Sequence, residues 1–71
     1  METKYLEFVA EVMGTDAAEI SMETAYGEFE KWDSMMMLTL VMEIEQEYGV
    51  SIPIEKMNKI HTLRDLYEFT R

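Results

Sequence analysis

The chain has no cysteine, one proline, three glycines and only six lysines and arginines in 71 residues. Without cysteine there is neither a disulfide framework nor a thiolate metal site, so packing alone must hold the fold. Punctuation is correspondingly sparse: Gly14, Gly27, Gly49 and Pro53 are the only strong breaks. The six basic side chains face fifteen acidic ones, leaving a net charge of -9 and a pI near 4.3. That sign argues against gripping phosphate backbones, so partners should instead present basic patches. The longest nearly apolar run, Met35 to Met42, is eight residues with Thr39 inside it, far below the roughly 20 that span a bilayer. Glu2, Glu7 and Glu11 interrupt the beginning, where a signal peptide needs a basic start and an apolar stretch; a cytoplasmic protein without a membrane span is expected.

What is there is a small core. An apolar fraction of 48% is too high for a disordered acidic tail. A chain of this length stabilises a fold by only roughly 4 to 10 kcal/mol and rarely encloses a deep active site, so an independent enzyme is not expected. There is no repeat and no linker-like shift in composition, and residues 1–71 are read as a single domain.

Between Thr3 and Met13 the residues Tyr5, Leu6, Phe8, Val9, Val12 and Met13 recur at helical spacing, and Gly14 supplies the stop. Gly14 to Asp33 keeps no period; this 20-residue connection needs anchors, for which Ile20, Tyr26, Phe29 and Trp32 are candidates, with a short helical turn expected near Tyr26 to Glu30. Asp33 is a suitable N-cap for a second helix running to about Tyr48, which Gly49 ends. Pro53 suits the first position of a short third helix through Ile60, and Thr62 with Asp65 makes a capping box for a last helix from Leu63 to Phe69. The expected architecture is all-α: a small four-helix bundle of three longer helices and one short one, with a long loop between the first two.

Stepping about 100° per residue along the second helix separates three arcs. Leu40, Ile44, Met37, Tyr48 and Val41 form the core face. Thr39, Glu43, Gln46 and Glu47 form a solvated one, and Met36 falls among them and is expected to be exposed. Leu38, Met42 and Met35, with Glu45, form a third. Either the last two helices cover this third arc or it stands as a docking ridge of adaptable methionines rimmed by acid. Eight methionines also make for a soft interior that fills irregular space and could admit an apolar guest.

The run Trp32-Asp33-Ser34-Met35, at the start of this helix in a short acidic helical chain, resembles the Asp-Ser-Leu attachment motif of acyl carrier proteins. The remainder follows the same order: Gly14, Glu19-Ile20-Ser21, Leu40-Val41-Met42 with Glu43-Ile44-Glu45, Ile52-Pro53, and Lys59-Ile60-His61-Thr62-Leu63. The likeness extends along nearly the whole chain. It implies that Ser34 carries 4'-phosphopantetheine, attached by a separate phosphopantetheinyl transferase, with acyl groups held as thioesters on the arm's terminal thiol. It also implies a supporting role for Asp33. A serine just inside a helix N-terminus suits this, because its phosphodiester lies beside free backbone N–H groups and the positive dipole end. A carrier with no thiol of its own needs a prosthetic one.

The pattern departs from that of fatty acid synthesis carriers, which commonly have Gly-Ala before the aspartate and an acidic residue two positions after the serine. Here those places hold Lys31-Trp32 and Met36, and Thr39 stands at a further acidic position. The resemblance therefore points to a specialised carrier, monomeric, in a fatty acid, polyketide or other biosynthetic route. Its enzymes would meet Met35, Met36, Leu38, Met42 and the carboxylates of Glu43, Glu45 and Glu47, with Trp32 either a contact or a loop anchor. An aminoacyl or peptidyl carrier, such as a D-alanyl carrier, would use the same serine. A small acidic adaptor or inhibitor binding a basic surface, with Ser34 merely a cap, is the alternative from another class. His61, the single histidine, supports neither a Ser-His-Asp nor a Cys-His arrangement, and the glutamates match no metal loop, so no catalytic or metal-ligating residue is assigned.

Overall fold

The computed structural model describes residues 2–71. Helix α1, Glu2–Met13, buries Tyr5, Val9, Ala10 and Met13. Helix α2, Ser34–Tyr48, buries Met37, Leu40, Val41 and Ile44, the spacing at which residues share one helix face. That face closes against α1, with Tyr48 half-buried beside it, as the core arc of the sequence requires. Gly49 ends α2 in the left-handed region, at a φ of 66°, and its N–H donates to the Glu45 carbonyl at 3.0 Å.

Beyond α2 the chain departs in detail from the sequence reading. Residues Ile54–Lys59 form a 3-10 helix with Pro53 as its cap, not as its first residue. None of the six residues in that segment is fully buried, and its anchors are the flanking Ile52 and Ile60. A short segment that packs only Met57, and that partly, against the core gains too little from burial to settle into an α-helix. Helix α3, Leu63–Tyr67, begins with the expected capping box of Thr62 and Asp65 and continues as a 3-10 turn, Glu68–Thr70.

The long connection between α1 and α2 has no helix at Tyr26 to Glu30, where only turns occur; its 3-10 turn lies earlier, at Ala17–Glu19. Of the expected anchors Ile20 and Trp32 are buried and Phe29 packs partly against the core, but Tyr26 is exposed and Met22 is buried instead, so side chains hold the loop at several points. It is also held by its backbone. The N–H groups of Leu63 and Arg64 donate to the carbonyls of Thr24 and Met22 at 3.1 and 2.9 Å, and Tyr26 N–H donates to the His61 carbonyl at 2.8 Å. The loop thus supplies acceptors for the first turn of α3, which would otherwise leave buried donors unpaired. Ala25 and Thr62 make an isolated β-bridge there; no strand occurs among the described residues.

Tyr5 joins the three helices. Fully buried, it donates its hydroxyl hydrogen to the Leu63 carbonyl at 2.7 Å and packs against Tyr67 and Tyr48, with ring centroids 4.8 and 6.5 Å away. Burial pushes its phenol far above the ordinary value, and neighbouring Tyr48 and Tyr67 add to the shift. On the surface, Arg64 contacts Glu23 at 2.7 Å and Glu2 at 3.5 Å, pairs that solvent screens heavily.

Candidate functional site at the start of the second helix

The N-terminus of α2 is built by Asp33. Its backbone is extended, at φ -107° and ψ -172°, and its Oδ1 accepts the Met36 N–H at 2.9 Å. Its carbonyl accepts the first intrahelical bond, from Met37 N–H at 2.8 Å. This is the N-cap arrangement read from the sequence, and it places Ser34 as the first residue of the helix, exposed to solvent.

The two capped helices differ in what they leave open. In α3, the N–H groups of Leu63 and Arg64 have loop carbonyls and that of Asp65 has the Thr62 hydroxyl. In α2, Asp33 provides for Met36, while Ser34 and Met35 lie in the first turn, where no intrahelical acceptor exists. An anionic ester on Ser34 would find those N–H groups and the positive end of the helix dipole beside it. A cleft of about 370 Å³, lined by Tyr26, Gly27, Glu28, Phe29, Glu30, Trp32, Asp33 and Ser34, opens next to the hydroxyl. The residues present therefore fit a phosphodiester-linked arm: an accessible hydroxyl, unclaimed donors, and adjoining space.

The flank of α2 resolves the fate of the third arc. Met35, Leu38 and Met42 are 77%, 53% and 66% exposed, so the later helices leave them uncovered. Glu43 and Glu47 are exposed on the same helix. Two assignments change, and a third, left open between two roles, is decided. Met36, expected to be exposed, is half-buried and packs against the core. Glu45 is only partly exposed, and its Oε2 accepts the Ile52 N–H at 2.8 Å, fastening the chain that leaves α2. Trp32 is an anchor rather than a surface contact, at 1% exposure, its ring packed edge-on against Tyr26 at 5.6 Å. Ile54, 78% exposed, is a surface apolar residue that helical periodicity did not flag, since it opens a segment with no stripe.

His61 is exposed, and its backbone N–H donates to Asp65 Oδ2 at 2.9 Å as part of the α3 cap. Among the described residues no group of three His, Asp or Glu side chains is placed to hold a metal ion, and no helix is long and apolar enough to cross a membrane.

Fold and site together define a class: a small acidic helical bundle that presents one serine at the mouth of a helix. Residues 6–70 match the family described as a phosphopantetheine attachment site. The acyl carrier proteins of Rickettsia typhi and Rickettsia prowazekii are each 37% identical over all 71 residues, an alignment covering 83% of the relative; that of Rickettsia canadensis is 35% identical over the same span. The chain belongs to the acyl carrier protein family. It is a carrier of acyl groups rather than a catalyst, and the family's prosthetic group is a covalently attached 4'-phosphopantetheine. Membership implies dealings with biosynthetic enzymes.

Proposed function

We propose that Ser34 is the residue esterified with 4'-phosphopantetheine, by a separate phosphopantetheinyl transferase, and that the carrier serves a specialised pathway. The observation that carries this is the exposed Ser34 hydroxyl on the first turn of α2, held there by the Asp33 cap. When bound, the arm supplies a thiol that holds acyl groups as thioesters. Asp33 keeps the first turn in register, and the Ser34 and Met35 N–H groups would be the donors available to a phosphodiester on Ser34. Met35, Leu38 and Met42 form the ridge that meets partner enzymes, and Glu43 and Glu47 steer basic surfaces towards it. Met36 supports this helix turn from below, so the apolar contact falls on Met35.

Incubation with coenzyme A, magnesium and a broad-specificity transferase, followed by intact mass measurement, tests the assignment. The wild type gains one phosphopantetheine and Ser34→Ala gains none. A Ser34→Ala chain that is still loaded would move the site elsewhere. Mass analysis of protein from its host then identifies the cargo, separating fatty acyl and polyketide from aminoacyl groups.

A further inference from the structure

We propose that the Trp32 indole N–H donates a hydrogen bond to a carbonyl oxygen of the group tethered at Ser34; this rests on Ser34 as the attachment residue. Trp32 is 1% exposed, and its Nε1 is buried without any acceptor among the described residues. It is the single unpaired buried side-chain donor or acceptor found there. Buried polar atoms of native proteins are nearly always paired, and a buried indole ordinarily finds a partner for its N–H. A phenylalanine could fill an apolar site at position 32 with no such orphan. The indole therefore brings a donor that the unloaded fold does not use.

Its position says what could use it. Trp32 lies two residues before Ser34, and both line the same cleft with Asp33 and Tyr26. Tyr26 is the ring packed edge-on against the indole, at an interplanar angle of 75°, and it is 38% exposed. Its backbone is held by the bond from its N–H to the His61 carbonyl at 2.8 Å, and a rotation of its ring about the side-chain bonds would leave the loop in place. The indole's bond requires such a movement, because Nε1 is itself buried. A group tethered at Ser34 is present at high effective concentration, so even a single bond can hold it. Carbonyl oxygens come from two sources in such a group: the amides of the arm and the thioester or further carbonyls of the cargo. Either would satisfy the indole N–H.

The chain has one tryptophan, so ¹⁵N-labelled protein shows one indole resonance. That resonance and its hydrogen exchange are compared in unloaded, arm-loaded and acyl-loaded protein, with loading verified by intact mass. The expected result is a downfield shift of the indole proton and exchange slowed by up to about tenfold, the factor one net hydrogen bond supplies. A shift already complete in arm-loaded protein assigns the arm's amides; one that appears only on acylation assigns the cargo. An indole unchanged in both loaded forms overturns the proposal while leaving Ser34 as the attachment site. Protein that gains no arm overturns both. Trp32→Phe adds a second readout: the melting-temperature gain on loading should shrink relative to wild type, and an undiminished gain counts against the bond. If that variant does not fold, the indole resonance of the wild type decides alone.

Discussion

Asp33 separates two roles that one carboxylate can play, and a pair of substitutions tells them apart. Its Oδ1 accepts the Met36 N–H at 2.9 Å, the one side-chain bond capping the helix that bears Ser34. Asp33→Ala removes that acceptor and should cost about 1 kcal/mol, within a measured range of roughly 0.5 to 2. Each kcal/mol lowers the melting temperature of a domain this size by about 4 to 8 °C, so Asp33→Ala should melt about 4 to 8 °C below wild type. Asp33→Asn keeps an oxygen in the same place and caps equally well. It gives up the charge at the dipole end, worth about 0.3 to 1 kcal/mol, while also relieving repulsion in a chain of net charge -9. Its melting temperature should therefore stay close to wild type. Thermal melts followed by far-UV circular dichroism, with amide exchange at Met36, give the stability comparison, and loading by the transferase gives the functional one. If the Asn variant melts normally and loads normally, Asp33 acts by positioning Ser34; if it melts normally and loads slowly, its charge takes part. An Asp33→Ala chain that melts with the wild type and keeps Met36 protected would refute the cap as the support of this helix turn.

Three further outcomes concern burial and charge elsewhere in the molecule. Tyr5 has a folded-state pKa raised above its ordinary value near 10, chiefly by burial, and Tyr48 shifts the same way; the stability they confer is full below pH of about 10 and falls above it, where the unfolded state loses protons first. Alkaline melts should show this decline, with a shallower slope in Tyr5→Phe, and equal slopes would exclude Tyr5 as its source. With a net charge of -9, added salt or magnesium should raise the melting temperature, and a melt indifferent to both contradicts self-repulsion as a destabilising force. Dilute peroxide should oxidise Met35 and Met42 before the buried Met13, Met22 and Met37, read by peptide mass mapping; equal rates would mean that the ridge is not more open than the core.

The site was more legible than its surroundings. The Asp33 cap and the start of α2 at Ser34 follow from local chemistry, because a capping side chain acts on residues within one turn of itself. The same holds for the Thr62 and Asp65 capping box and for Gly49. The core arc of α2 was readable because apolar residues at helical spacing must face the same way. By contrast, the order within the connecting loop was not. Met22 is buried and Tyr26 partly exposed because backbone bonds to His61, Leu63 and Arg64 fix the loop against α3, some 40 residues away in sequence, and no local pattern records that pairing.

The methionines mark the division most clearly. Sequence determined that Met35 and Met36 both lie on the first turn of α2, one residue apart and about 100° around the axis. Only the tertiary structure decided that Met36 packs against the core while Met35 stands 77% exposed, and that Glu45, one of several glutamates along the helix, fastens Ile52. Helical periodicity sets the direction of each side chain from its own backbone, but whether that direction meets solvent or protein depends on where the rest of the chain comes to lie. The same holds for the indole of Trp32: its place two residues before Ser34 is written in the sequence, and its buried, unpaired N–H is a product of the packing around it.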